Sequence, residues 1–158
     1  MRPVRKAKGS VLPEVLLCAA LLVTVAVAAG RACQMYGTYL ARLQMDLAAQ
    51  LVVLDLRRLR EETIVSGRLI SPYMATLDDS TGYMFIEQSK TTRICRLNEL
   101  VGPEIRMHAP GRDVVCFYGT GSPSVALKFH IRHRKYPDMR VRIILEPVSG
   151  RIIARPSW

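Results

Sequence analysis

The sequence predicts an α+β protein: a long N-terminal α-helix, its first half of membrane-spanning composition and its second half amphipathic, packed on a C-terminal antiparallel β-sheet domain. Three observations carry this prediction. Val15 to Ala29 is apolar except for Thr24, and with Val11, Leu12 and Gly30 the stretch reaches about 20 residues, close to what a ~30 Å hydrocarbon core requires. Leu40, Leu43, Leu47, Leu51 and Leu54 then recur at intervals of 3, 4, 4 and 3, the apolar stripe of an amphipathic helix. From Ser66 onward the texture changes to short alternating segments bounded by Gly, Pro and Asp clusters, the pattern of strands and turns. A chain of 158 residues has room for one domain beside a membrane element.

Residues 1–9 hold Arg2, Arg5, Lys6 and Lys8 and no acid, a net +4 directly before the apolar stretch. Flanking Lys and Arg stay on the cytoplasmic side, so the rest of the chain is expected outside the cytoplasm. Two processing schemes suit such a leader. In an ordinary secretory signal peptide, Ala26-Val27-Ala28 would be the small-residue cleavage site, and the product would be a secreted globular protein. In the second scheme the cut falls after Gly9 and the apolar segment is kept. Pro13 and Glu14 favour the second scheme. A carboxylate weakens a signal-peptide core, but Glu14 suits the start of a helix beginning at Ser10. Pro13 suits the first turn, where its missing N–H costs no intrahelical bond.

The helix should continue well past the membrane. No proline or turn cluster interrupts residues 14–65, and Ser66-Gly67 ends the run. About 55 helical residues span roughly 80 Å at 1.5 Å per residue. A cleaved signal peptide has no use for such an arrangement. The chain divides on this reading into a leader (1–9), a membrane-embedded part of the helix (10–30), an amphipathic part (31–65) and a β-rich globular domain (66–158).

Lys8-Gly9 followed by Ser10-Val11-Leu12-Pro13-Glu14 resembles the class III leader of type IV pilins and pseudopilins. The resemblance implies cleavage after Gly9 by a prepilin peptidase and methylation of the new N-terminus, Ser10, where the family usually has phenylalanine. It also gives Glu14, the fifth mature residue, the family's assembly role. A charged side chain at the centre of a bilayer helix costs roughly 2.5–3.5 kcal/mol. The favourable position of Glu14 in the first turn offsets only ~0.3–1 kcal/mol of such a penalty. The α-amine of a neighbouring subunit would neutralise the charge and set the register between helices. The implied partners are the peptidase, other pilin or pseudopilin subunits and an inner-membrane assembly platform. The implied location is the cytoplasmic membrane, crossed once with the N-terminus inside, and then a pilus or pseudopilus. The parent machine would be a type IV pilus, a type II secretion pseudopilus or a competence apparatus.

In the outer domain, strands are expected at Tyr83–Glu87, Thr92–Leu97, Glu104–His108, Val114–Tyr118, Val125–Arg132, Arg140–Glu146 and Arg151–Arg155. The clearest alternates Val125, Leu127, Phe129 and Ile131 on one face with Lys128, His130 and Arg132 on the other. Arg140–Glu146 repeats the scheme with Val141, Ile143 and Leu145 inward, so the two should pair as an antiparallel hairpin packed on the amphipathic helix. Cys95 and Cys116 both fall in strand-like segments. An oxidising compartment would permit a bridge between them, and two buried free thiols is the other reading. Val115-Cys116-Phe117, Gly119-Thr120-Gly121-Ser122-Pro123, the two long strands and Val148-Ser149-Gly150-Arg151-Ile152 resemble the GspH/FimT branch of minor pilins.

Charge is concentrated at the C-terminal end: residues 128–158 carry a net +6, while residues 10–127 balance to zero. Lys128, His130, Arg132, Arg140 and Arg142 would share the outward face of the hairpin, with Arg134 near its tip and Arg151 and Arg155 near the chain end. Some FimT-like minor pilins use a basic C-terminal region to capture DNA, so the resemblance makes DNA an alternative partner for Lys128, Arg132, Arg134, Arg140, Arg142, Arg151 and Arg155. A solvated face that discourages edge aggregation, or one that docks on an acidic neighbour, explains the same charges. Enzyme chemistry is not expected. His108, His130 and His133 are scattered, and no metal-ligand spacing, phosphate loop or nucleophile elbow occurs. No cofactor is implied.

Overall fold

The computed structural model describes residues 11–67, 73–87, 90–109 and 114–158, so the expected processing residues Gly9 and Ser10 lie outside the described residues. Helix α1 runs from Val11 to Ser66, 56 residues. The chain divides into two compact units, residues 1–39 and 40–158.

In the first unit the described residues are helical, and from Leu12 to Met35 every side chain is exposed. The helix is long and apolar enough to cross a membrane, by length and composition. Thr24, the one polar residue between Val15 and Ala29, donates its hydroxyl to the Leu21 carbonyl at 2.8 Å. The preceding turn thereby satisfies a group that hydrocarbon could not.

In the second unit α1 lies against two antiparallel sheets. The first has the order β1 (Tyr73–Thr76), β2 (Gly82–Glu87), β3 (Lys90–Arg96). A short helix, α2 (Leu97–Leu100), leads to the second sheet: β4 (Ile105–His108), β5 (Lys128–His133), β6 (Arg140–Leu145) and β7 (Ile152–Ser157), in chain order. The core joins Met45, Ala48, Val52 and Leu56 of α1 to Tyr83 and Phe85 of the first sheet and to Phe129, Ile131, Val141, Ile143 and Leu145 of the second. The predicted hairpin is present, with Phe129 opposite Ile143 and Ile131 opposite Val141.

The leucine stripe does not face this core. Leu40, Leu43, Leu47 and Leu54 remain 41%, 46%, 46% and 58% exposed, and Leu51 is half-buried. The buried face is instead Ala41, Met45, Ala48, Ala49, Val52, Leu56, Leu59 and Thr63. At about 100° per residue the two faces lie roughly 140° apart around the helix. Alanine and valine give the sheets close access to the backbone along Ala41–Val52, with Leu56 and Leu59 filling the core further on, and Leu40, Leu43, Leu47 and Leu54 are left outside.

Other expectations are corrected in detail. Val114–Tyr118 is not a ladder strand: Val115 forms an isolated bridge with Met74, and Phe117 one with Pro123. Val125 precedes β5 and is exposed, so the inward series begins at Leu127. Leu97, expected to end a strand, opens α2, and β1 was not anticipated. The end of α1 is as expected. Gly67 takes φ +60° and donates its N–H to the Thr63 carbonyl at 3.1 Å, a left-handed stop that suits glycine.

Candidate interaction surfaces

The first surface is α1 itself. Glu14 sits in the first turn, exposed, and among the described residues its carboxylate has no hydrogen bond or ion pair. Further along, Leu40, Leu43, Leu47 and Leu54 of the stripe are exposed, and Leu51 packs at the margin of the core. A helix in water gains nothing from such a face.

The second surface is the outward face of β4–β7. Register aligns cations in rows across the strands. Arg106 lies opposite Arg132, and Arg132 opposite Arg140. One rung along, His108 faces His130, His130 faces Arg142, and Arg142 faces Arg155. Lys128 extends the patch beside Ile144. Like charges directly opposite each other destabilise a sheet. Among the described residues no carboxylate forms an ion pair with any of them. Among the described residues, Arg106 alone of these cations is tied down by side-chain hydrogen bonds, donating to the carbonyls of Pro103 and Ile105 at 2.7 and 2.8 Å.

His130 lies inside this field. Partial burial lowers its pKa, and the positive charges of Arg132, Arg142 and Arg140, with His108, lower it further. His133, one face round, points into the core beside Tyr136, with ring centroids 5.1 Å apart. Burial lowers its pKa too; Glu104 opposes the shift and Lys135 adds to it. Neither His130 nor His133 has a hydrogen-bond partner for its buried Nδ1 among the described residues.

The structure thus brings Lys128, Arg132, Arg140, Arg142 and Arg155 together. Arg134 lies in the β5–β6 turn. Arg151 precedes β7 and lines a separate cleft with Arg57 and Arg60 of α1. Arg106 and His108 join the patch although the sequence did not single them out; their alternation with Ile105 and Met107 was readable, but the pairing of β4 with β5 was not. Cys95 is buried, Cys116 is half-buried, and both are free thiols. Among the described residues no group of three or more His, Cys, Asp or Glu side chains could hold a metal ion.

The first sheet treats its charges differently. Tyr83 donates its hydroxyl to Asp55 Oδ2 of α1 at 2.7 Å, and Arg93 reaches Asp55 Oδ1 at 3.5 Å. Burial raises the Tyr83 pKa strongly, and the neighbouring Cys95 and Asp55 push it the same way, so the phenol stays protonated and donates. Arg96 is flanked by Asp79 at 3.8 Å and Glu99 at 3.7 Å.

No protein-family model matches the chain. No curated protein matches it either. Among solved structures it is similar to the minor pseudopilin EpsH from the type 2 secretion system of Vibrio cholerae, with 15% sequence identity and a TM-score of 0.49; the match covers 72% of this chain and 97% of that one.

Proposed function

We propose that this chain is a membrane-anchored assembly subunit of the type IV pilin and pseudopilin kind, a minor pilin whose work is polymerisation and display. On this reading the leader is removed after Gly9, Ser10 becomes the N-terminus, and residues 10–30 hold the protein in the cytoplasmic membrane with residues 66–158 outside. One observation supports the reading: among the described residues, α1 leaves its single apolar-segment carboxylate, Glu14, without a partner and Leu40, Leu43 and Leu47 of its leucine stripe exposed. Both are satisfied if other helices pack beside it. The Ser10 amine of a neighbour, with an unperturbed pKa near 8, supplies the positive charge that Glu14 lacks. Glu14→Ala should be processed and inserted normally but should fail to co-purify with its partner subunits. Normal co-purification of that variant would contradict the assembly role.

The like-charge rows on β4–β7 favour a second reading, in which the same subunit captures DNA. A sheet that places Arg opposite Arg gains stability when a polyanion covers it. Base-stacking aromatics are sparse around the patch, with Tyr136 and Trp158 near it in the chain, so binding would be led by the phosphate backbone and would weaken steeply with salt. The full chain in detergent should retard a DNA duplex at low salt and release it as salt rises. Absence of retardation at low salt removes this reading and leaves the assembly role intact.

A further inference from the structure

We propose that the outer edge of β7, with Arg57, Arg60 and Arg151 beside it, is a docking site for an extended acidic segment of another protein chain. The β6–β7 turn sets the geometry. Gly150 adopts φ +63° and donates its N–H to the Glu146 carbonyl at 3.0 Å, while the Glu146 N–H reaches the Arg151 carbonyl at 3.0 Å. That pattern is a bulge with glycine in its left-handed position, and it fixes the phase of the ladder that follows. Ile153 and Arg155 direct their backbone groups toward Ile144 and Arg142 of β6, so Ile152 and Ala154 turn their N–H and C=O groups outward.

β7 is an edge of the sheet, and among the described residues no backbone group bonds those outward groups. Proteins usually guard such an edge because it templates pairing with another chain. Here Pro156 removes one donor, which confines the open stretch to Ile152–Ala154.

The arginines add a chemical preference. A cleft of about 370 Å³ runs along this edge, with Arg57, Arg60 and Arg151 in its wall. Arg60 is half-buried and held in place, its Nε donating to the Gly121 carbonyl at 3.0 Å. Among the described residues none of the three forms an ion pair. Converging cations in a partly enclosed groove attract an anion more strongly than the same charges spread over a surface. Arg57 also borders a second cleft of about 420 Å³, where Val53 and Leu54 of α1 face Ile152, Ala154 and Pro156. A strand laid on β7 would pair with Ile152 and Ala154, place alternate apolar side chains in this second cleft, and bring a carboxylate to the arginines. A nucleic acid would leave the open peptide groups unpaired and would find no aromatic side chain in the arginine cleft to stack on.

The test uses the full chain in detergent micelles and two fluorescent eight-residue peptides, one alternating valine with glutamate and the other valine with glutamine, read by anisotropy. The glutamate peptide should bind at least tenfold more tightly than its glutamine counterpart. Arg57→Gln combined with Arg151→Gln should abolish that preference, with Arg60 retained because it bonds Gly121. Ala154→Pro should weaken both peptides, since it deletes an outward donor and no ladder bond. If circular dichroism shows that this proline variant is unfolded, the arginine variant alone decides. Equal affinity for the two peptides overturns the proposal, as does a preference that survives loss of Arg57 and Arg151. Two further outcomes would also overturn it. One is an oligothymidine displacing the glutamate peptide from this edge; the other is a dimer of the chain that Ala154→Pro dissolves.

Discussion

The two sheets carry cations in opposite ways. On the first, Arg93 and Arg96 each stand within 4 Å of a carboxylate, and the Asp55 that meets Arg93 also accepts the Tyr83 hydroxyl and so ties α1 to β2. On the second, Arg132, Arg140, Arg142 and Arg155 face one another or a histidine across the ladder with no acid between them. The residue type is the same, but its surroundings separate two uses. A paired cation beside a buried hydroxyl belongs to the fold, whereas a row of like charges weakens it. The same division runs along α1, where the alanine-rich face builds the core and the leucine face does not.

Substitutions can break this comparison. The largest loss is expected at the core face: Leu56→Ala should cost about 2–5 kcal/mol of unfolding free energy in denaturant titration, while Leu47→Ala on the outer stripe should cost little and act on assembly. Next comes Asp55→Ala, which strands the buried Tyr83 hydroxyl and should cost about 1–3 kcal/mol. The second sheet should respond with the opposite sign. Arg142→Thr relieves the repulsion with His130 and Arg155 and should raise stability by about 0.2–1 kcal/mol while weakening any polyanion binding.

The smallest effect is on pH dependence. His130 and His133 have folded-state pKa values below the ordinary value near 6.5, so the unfolded chain takes up their protons first. Their contribution to stability is complete above about pH 6.5 and is lost as pH falls below it. Thermal melts should therefore move down between pH 7 and pH 5, and His133→Phe should flatten part of that slope. An unchanged slope would mean that His133 is not the buried neutral group described above.

Much of this architecture was legible in the residues. The apolar run and the absence of helix breakers implied α1, Gly67 marked its end, and the alternation of Leu127, Phe129 and Ile131 against Val141, Ile143 and Leu145 implied the hairpin. The facing of the helix was not legible. Leucines dominate any reading of hydrophobic spacing, but close approach of two sheets selects the smaller side chains of Ala41, Ala48, Ala49 and Val52. β1 is not legible in the sequence because Tyr73–Thr76 is four residues long and gains its place from β2 and Val115. The outward cations of the hairpin could be read strand by strand. Their rows could not, since they depend on register and on β4 joining β5. Nearness in the chain places Arg151 with them, but the bulge at Gly150 sets it beside Arg57 and Arg60.

The assembly reading requires that the mature protein retain α1. N-terminal sequencing of the mature protein, purified from membranes, tests it most directly. The assembly reading predicts a chain beginning at Ser10, with Glu14 as its fifth residue. A chain beginning near Ala29, or one still carrying Met1, would contradict it.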